Sequence, residues 1–416
     1  MSADAPRPAQ LETVISLEEA ITRINGAMNP IERTETVELQ AAVGRILAST
    51  IAAPDSSPTH DRSRMDGFAV RLADFEGLEA GARKVLSIAG KVPAGSSPLF
   101  ELKTATCAEV ATGAWLPTGT DAVIPVEESR VVGGGQMVEF EKGPQRGAHM
   151  SMAGSDYQAG DALVNARQLL TPGRIAAAAS CNMPQLEVVA RPKILIVSTG
   201  DELFPLGAPL TPGKVRDTNA YGLAAFVLAR GGAPDRHPIV RDSPEDLAAV
   251  LGRADRYDAL VFTGGTSAGA RDFLAPTLME AGDILFHGVR IRPGRPALFG
   301  LVGQTPVLGL PGNTTSCLVD AHLLLGRMIW GLLGCAAPPT AAVRVKLESD
   351  IEAHIKAGPS DFLNLVLVRV AEGRAAPVMK DSMTITGASY SDGFIPISPG
   401  RAIPKAGDDV TVVPFL

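Results

Sequence analysis

Between residues 191 and 335 short apolar runs alternate with helical ones, and this alternation constrains the fold more than any other feature of the chain. "KILIVSTG" (193–200) reads as a buried strand, "TNAYGLAAFVLARGG" (218–232) as a helix ended by glycine, and "RHPIV" (236–240) as a strand. "SPEDLAAVLGRA" (243–254) reads as a helix opened by Ser243 and Pro244, "DALVFTGG" (258–265) as a strand, and "DFLAPTLMEAG" (272–282) as a helix. Two strands, "ALFGLV" and "PVLGL", and a long apolar helix, "TTSCLVDAHLLLGRMIWGLL" (314–333), complete the region. Strands and helices in alternation predict a doubly wound parallel sheet covered on both faces. Ligands of such sheets sit beyond the carboxyl ends of the strands.

The rest of the chain has another texture. Its 416 residues exceed one hydrophobic core, so several domains are expected. "SLEEAITRINGAM" is a helix with Ser16 and Glu19 at capping-box spacing. Residues 54–150 hold short β-type runs between Gly/Pro turns and predict a small β module. The strand-rich stretch 338–416 predicts a small barrel or sandwich.

Composition narrows the function. A formal net charge of -7 argues against a nonspecific nucleic-acid binder. Cys107, Cys181, Cys317 and Cys335 form no CxxC pair, which argues against a zinc site or disulfide framework. The six histidines, His60, His149, His237, His287, His322 and His354, show no ligand spacing. With neither a secretory pattern nor an apolar run of membrane length, the expectation is a soluble, cytoplasmic protein with no membrane partner.

Polar residues gather after the strands. Asp201 and Glu202 follow the first, Asp242 follows "RHPIV", and Thr266, Ser267, Gly269 and Asp272 follow the Gly264-Gly265 pair. "RIRPGRP" (290–296) and "LPGNTTS" (310–316) flank the last strands. Carboxylates in a crevice suit Mg²⁺. Glycines let backbone N–H groups approach an anion, and guanidinium forks match oxyanions. Each loop also has a plainer reading: a helix start, a βα turn, a solvated proline turn. Likewise "DRSRMDGFAV" (61–70) can be a simple Asp-Gly turn. The case for a phosphate- or oxyanion-handling enzyme rests on one fold rule bringing the loops to one edge.

"SRMDGFAVR", "IVSTGDEL", "VRDTN", the spaced residues Gly264, Gly265, Ser267, Gly269 and Asp272, "RPGRPALFG" and "GLPGN" followed by Ser316 occur in this order. Together they resemble the signature blocks of the MoeA family, the molybdopterin molybdenumtransferases, also seen in the gephyrin E domain. The resemblance runs from about residue 15 to 416. It implies an α/β plus β multidomain fold: an elongated linker domain from 1–53 and 151–190, the inserted β module 54–150, a MogA-like doubly wound α/β domain 191–337, and a C-terminal β-barrel 338–416. It implies a homodimer in which the β module of one subunit closes over the crevice of the other. It implies a reaction: adenylylated molybdopterin and molybdate are taken, AMP is released, and molybdenum enters the dithiolene, with Mg²⁺ as cofactor.

Carried onto this chain, the resemblance makes Asp66, Asp242 and Asp272 catalytic and Asp201 and Glu202 metal-binding. Asp156, Gly264, Gly265, Ser267, Gly269, Arg292, Arg295, Pro296, Pro311, Gly312, Asn313, Ser316 and Ser382 become substrate-binding. Four departures stand out. Arginines replace both lysines of the family's KPGKP, no proline follows Asn313, Thr266 and Ala268 in "GGTSAGARD" replace the more frequent residues of "GGVSVG--D", and Ser360 stands where many members have arginine. They leave an alternative: a divergent paralogue that binds finished cofactor and delivers it to molybdoenzyme clients or chaperones.

Overall fold

The computed structural model describes residues 14–207, 209–266, 273–338, 341–355, 361–378 and 383–415. Ser267, Gly269, Asp272, Ser360 and Ser382 therefore lie outside the described residues.

The first helix, Leu17–Ala27, begins as its capping box dictates, with the Glu19 N–H donating to Ser16 Oγ at 3.1 Å. The chain then enters and leaves the β module along antiparallel pairs. Thr34–Glu38 lies against Gln185–Val189, and Ile51–Ala52 against Ala162–Val164. The module is a six-stranded sheet in the order Ala122–Pro125, Gly67–Val70, Thr106–Val110, Lys84–Val92, Met137–Phe140, Ser129–Val132. Phe68, Phe75 and Phe140 fill its core, with rings meeting edge-on.

The α/β sheet runs in the order Ala233–Arg236, Lys193–Ser198, Ala259–Thr263, Thr305–Leu310, Leu298–Val302, Asp283–His287. Strand alternation sends Ile194, Ile196 and Val261 into one core cluster and Leu195, Val197, Leu260 and Phe262 into the other. Both faces are thus covered, at roughly 1.5–3 kcal/mol for each large apolar side chain buried. The sheet is mixed rather than parallel throughout. Leu298–Val302 pairs antiparallel with both neighbours, forming a hairpin with Thr305–Leu310. Asp283–His287, which short apolar length hid in the sequence, therefore points the same way as the four parallel strands. The strand expected at "RHPIV" is displaced to Ala233–Arg236, which pairs with Lys193–Ile196. Pro238 has no N–H to give a ladder, and only an isolated bridge joins Val240 to Thr199.

Beyond the sheet, the long apolar helix is Thr314–Asp320, a wide π turn Ala321–Leu325, and Gly326–Leu332. A closed five-stranded barrel follows, from Val343–Leu347, Leu363–Ala371, Arg374–Pro377, Gly393–Ile397 and Asp409–Pro414. No helix among the described residues is long and apolar enough to cross a membrane.

Candidate functional site

From the strand Lys193–Ser198 the chain crosses through the helix Asn219–Ala229 to Ala233–Arg236 on one side. It then crosses through the helix Pro244–Leu251 to Ala259–Thr263 on the other. The direction of winding thus reverses between Lys193–Ser198 and Ala259–Thr263, where doubly wound folds bind ligands. Thr199 and Gly264 lie at that point. A Cβ on Gly264 would sit 2.4 Å from the Thr199 carbonyl oxygen and 3.0 Å from its Oγ1. The backbone φ of +93° there also disfavours any side chain. A Cβ on Gly312 would lie 3.5 Å from the Gly264 Cα, so the two glycine loops approach almost backbone to backbone.

A buried polar network fixes this approach. Asn219 donates from Nδ2 to Thr263 Oγ1 and to the Gly312 carbonyl, each at 2.8 Å. Thr263 Oγ1 in turn donates to the Pro311 carbonyl at 3.2 Å. Asp217 Oδ1 accepts from Ser198 Oγ at 2.9 Å and from the Ala220 N–H at 3.1 Å, anchoring the start of the helix that carries Asn219. Two buried atoms here, Thr199 Oγ1 and Asn219 Oδ1, have no hydrogen-bond partner among the described residues. Buried polar groups are nearly always satisfied, and an ordered water is the ordinary partner of such atoms.

Because Asp283–His287 runs with the parallel strands, the loop that follows it, residues 288–297, emerges at the same carboxyl edge. His287, buried at the strand end, donates from Nε2 to the Thr266 carbonyl at 3.2 Å and ties this loop to the glycine loop. Burial lowers its pKa, so the ring is a neutral tether rather than a charge. Ile291–Arg292 pairs in parallel with Leu363–Asn364 of the barrel. The Arg292 guanidinium stacks on the Phe362 ring at 4.2 Å from its centroid, with Arg295 at 5.9 Å. Planar guanidinium suits that stacking, which gives the replacement of lysine by arginine a structural rationale. Ser316 is buried one turn into the helix that Asn313 opens, and Pro311 is buried beside the glycine contact. Pro296 ends the arginine loop, half-buried.

Other sequence-selected residues stand apart. Asp66 is exposed at the start of Gly67–Val70, where a Cβ on Gly67 would meet the Ile124 carbonyl at 2.1 Å. Its Oδ1 accepts from the Thr112 N–H at 2.7 Å and the Thr112 hydroxyl at 3.0 Å. Those bonds, the backbone one first, lower its pKa, so it is a carboxylate at neutral pH and not a proton donor. Thr112→Val is expected to raise the Asp66 pKa part-way toward the ordinary carboxylate value, since the N–H bond survives; NMR titration of the carboxyl carbon reads it. Asp156 is exposed and donates its N–H to the Ser57 carbonyl. The hydrogen bonds described for these two aspartates go to Thr112, Val126 and Ser57, and none goes to a residue of the α/β domain.

Asp201 and Glu202 are exposed after the first strand, the Glu202 carboxylate folded over Gly200, and Asp242 is half-buried. Among the described residues no three His, Cys, Asp or Glu side chains gather to hold a metal ion. These acids do not form a closed metal cage. Sequence reasoning passed over Thr199, Asn219 and Phe362. All three stand within blocks that resemble the family's, without a role of their own.

The chain's N-terminal part matches the family model described as the MoeA N-terminal region (domain I and II) over residues 15–182. Residues 195–329 match the model described as a probable molybdopterin binding domain. A molybdopterin molybdenumtransferase of Nostoc sp. is 34% identical over 354 residues, spanning 84% of this chain and 80% of that one. The chain belongs to the molybdopterin molybdenumtransferase family. A Bacillus subtilis molybdenumtransferase is 30% identical over 410 residues, covering 96% of this chain and 94% of its own. Among solved structures, a molybdopterin biosynthesis MoeA protein from Pyrococcus horikosii superposes with a TM-score of 0.78 at 29% identity, covering 97% of this chain and 100% of that one. The similarity to these molybdenumtransferases extends over nearly the whole chain.

Proposed function

We propose that the chain is a transferase of molybdenum cofactor synthesis that takes adenylylated molybdopterin and molybdate, releases AMP, and places molybdenum on the dithiolene. The observation that carries this reading is the close approach of the Gly264 and Gly312 loops where the sheet reverses its winding, in a chain of this family. Glycine loops beyond the carboxyl ends of strands suit phosphate in folds of this kind.

In this reading Gly264, Gly265, Ser267, Gly269, Pro311, Gly312 and Asn313 hold the phosphoanhydride. Arg292, Arg295, Pro296, Ser316 and Ser382 receive the oxyanion, with Phe362 fixing the guanidinium planes. Asp156 contributes to substrate binding from the linker. Asp66, ionised, takes the proton of an oriented water whose oxygen bonds to phosphorus as the anhydride P–O bond breaks and AMP leaves. Asp242 and Asp272 orient that water and hold the leaving group's surroundings. The two dithiolene thiols then bond molybdenum, and one molybdate oxygen departs as water carrying their two protons. Asp201 and Glu202 present hard oxygen donors of the kind a hydrated Mg²⁺ takes when phosphates complete its shell, and the ion would neutralise phosphate charge.

Asp66 belongs to a different layer from the crevice, and the site is completed in a homodimer by the β module of the second subunit. Mixing Asp66→Asn with Gly264→Ala tests this directly. Each parent is expected to be nearly inactive, while a 1:1 reassembled mixture regains about a quarter of wild-type AMP release, because half the dimers carry one intact site of two. A mixture no more active than its parents contradicts the shared site. A wild-type chain that releases no AMP contradicts the reading as a whole.

A further inference from the structure

The side chain of Asp320 is fully buried, and neither carboxyl oxygen has a hydrogen-bond partner among the described residues. An interior carboxyl in that state is an unfavourable choice, since an apolar side chain of similar volume would fill the space without loss of hydration. What the group touches is the middle of the arginine loop. A Cβ built on Gly294 would lie 1.7 Å from Asp320 Oδ1 and 2.8 Å from Oδ2. The carboxyl group therefore occupies the room that a side chain at 294 would need, and the Gly294 backbone, at φ +111°, rests on it. Gly294 lies between Arg292 and Arg295. Asp320 closes the helix Thr314–Asp320 that the Pro311–Asn313 loop opens, and the wide π turn begins immediately after it. One helix thus bears a ligand loop at its start and a support for the other loop at its end.

We propose that Asp320 is a positioning residue for oxyanion binding: its carboxyl group seats Gly294 and so sets the spacing and direction of Arg292 and Arg295. This rests on the reading that those arginines receive molybdate. Burial pushes the Asp320 pKa well above the ordinary carboxylate value, which favours the uncharged acid beneath an anion site. The barrel supplies the second constraint, through the stacking of both guanidinium groups on Phe362 and the pairing of Ile291–Arg292 with Leu363–Asn364. The loop is held from below by shape and from the side by stacking.

The test is steady-state AMP release by the full-length enzyme at varied molybdate, with thermal melting in parallel. Asp320→Asn, uncharged and of the same shape, is expected to keep KM for molybdate within about twofold. Asp320→Ala is expected to raise it about tenfold with kcat within about twofold, as slight loop displacement does. Val319→Ala, an equally buried truncation beside it, is expected to lower the melting temperature without moving KM. Asp320→Leu, which fills the space with branched methyl groups, is expected to melt higher than wild type yet bind molybdate more weakly, and it decides the matter if Asp320→Ala does not fold. Gly294→Ala is expected to raise KM at least tenfold in wild type and to add less than about threefold in Asp320→Ala, where the room is vacated. An unchanged KM in Asp320→Ala or Asp320→Leu, a raised KM in Asp320→Asn, or additive effects of Gly294→Ala overturn the inference alone. Absence of molybdate-dependent turnover in the wild type overturns it together with the proposed function.

Discussion

Asp66→Asn is expected to lower AMP release by about 10²–10³-fold, the range in which a lost catalytic base falls, while leaving the melting temperature unchanged. The substitution keeps the acceptor oxygen that Thr112 binds through its N–H and hydroxyl, so the turn retains its geometry. It removes only the negative charge that those bonds favour. Because Asp66 is exposed, no core packing depends on it. Single-turnover AMP release, with nucleotide binding measured alongside, separates the alternatives. A variant that binds normally but cleaves slowly supports the base. A variant that cleaves within threefold of wild type removes Asp66 from the mechanism.

The second large effect is expected at Gly264→Ala. The new Cβ would stand 2.4 Å from the Thr199 carbonyl, a backbone atom that cannot turn away, in a conformation with φ +93°. The strand ends must part, opening the contact with Gly312 and disturbing the Asn219 bonds to Thr263 and Gly312. A stability loss of about 1–3 kcal/mol from strain is expected, together with affinity for adenylylated molybdopterin reduced about a hundredfold. Gly373→Ala separates the two contributions, since Gly373 also has positive φ, +73°, but nothing lies within 4 Å of its would-be Cβ. It is expected to lose stability alone. Calorimetric titration with the nucleotide substrate and denaturant melts read both variants; equal binding by the two contradicts the close-approach argument.

The residues that made the fold legible were those whose neighbours hardly matter. "KILIVSTG" and "DALVFTGG" are apolar on both faces, so burial between two layers could be read without knowing either layer. Ser16 and Ser243 mark helix starts through local bonds to the third residue on. The edge strand Ala233–Arg236 is displaced from the expected one because its Pro234 and Asp235 look like loop residues and "RHPIV", which begins at its last residue, looks like a strand. Arg374–Pro377 went unseen since its barrel neighbours, not its composition, make it a strand.

The site divides in the same way. Glycine at 264 and 312 and arginine at 292 and 295 were readable, because each residue type announces a backbone approach or a charge. Asn219, Phe362 and Asp320 were not, because their roles lie in contacts to Gly312, to Arg292 and to Gly294, across many residues of sequence. The carboxylates expected to share a metal were legible as acids, yet their grouping was not a property that spacing could establish.

The central claim is that this crevice couples nucleotide cleavage to metal insertion. A single-turnover reaction of the purified protein with adenylylated molybdopterin, Mg²⁺ and molybdate tests it most directly, with AMP quantified by chromatography and cofactor by reconstitution of an apo-molybdoenzyme. The account predicts one AMP released for each active cofactor formed, with both products depending on molybdate. Binding of adenylylated molybdopterin with no AMP release at any molybdate concentration would contradict it.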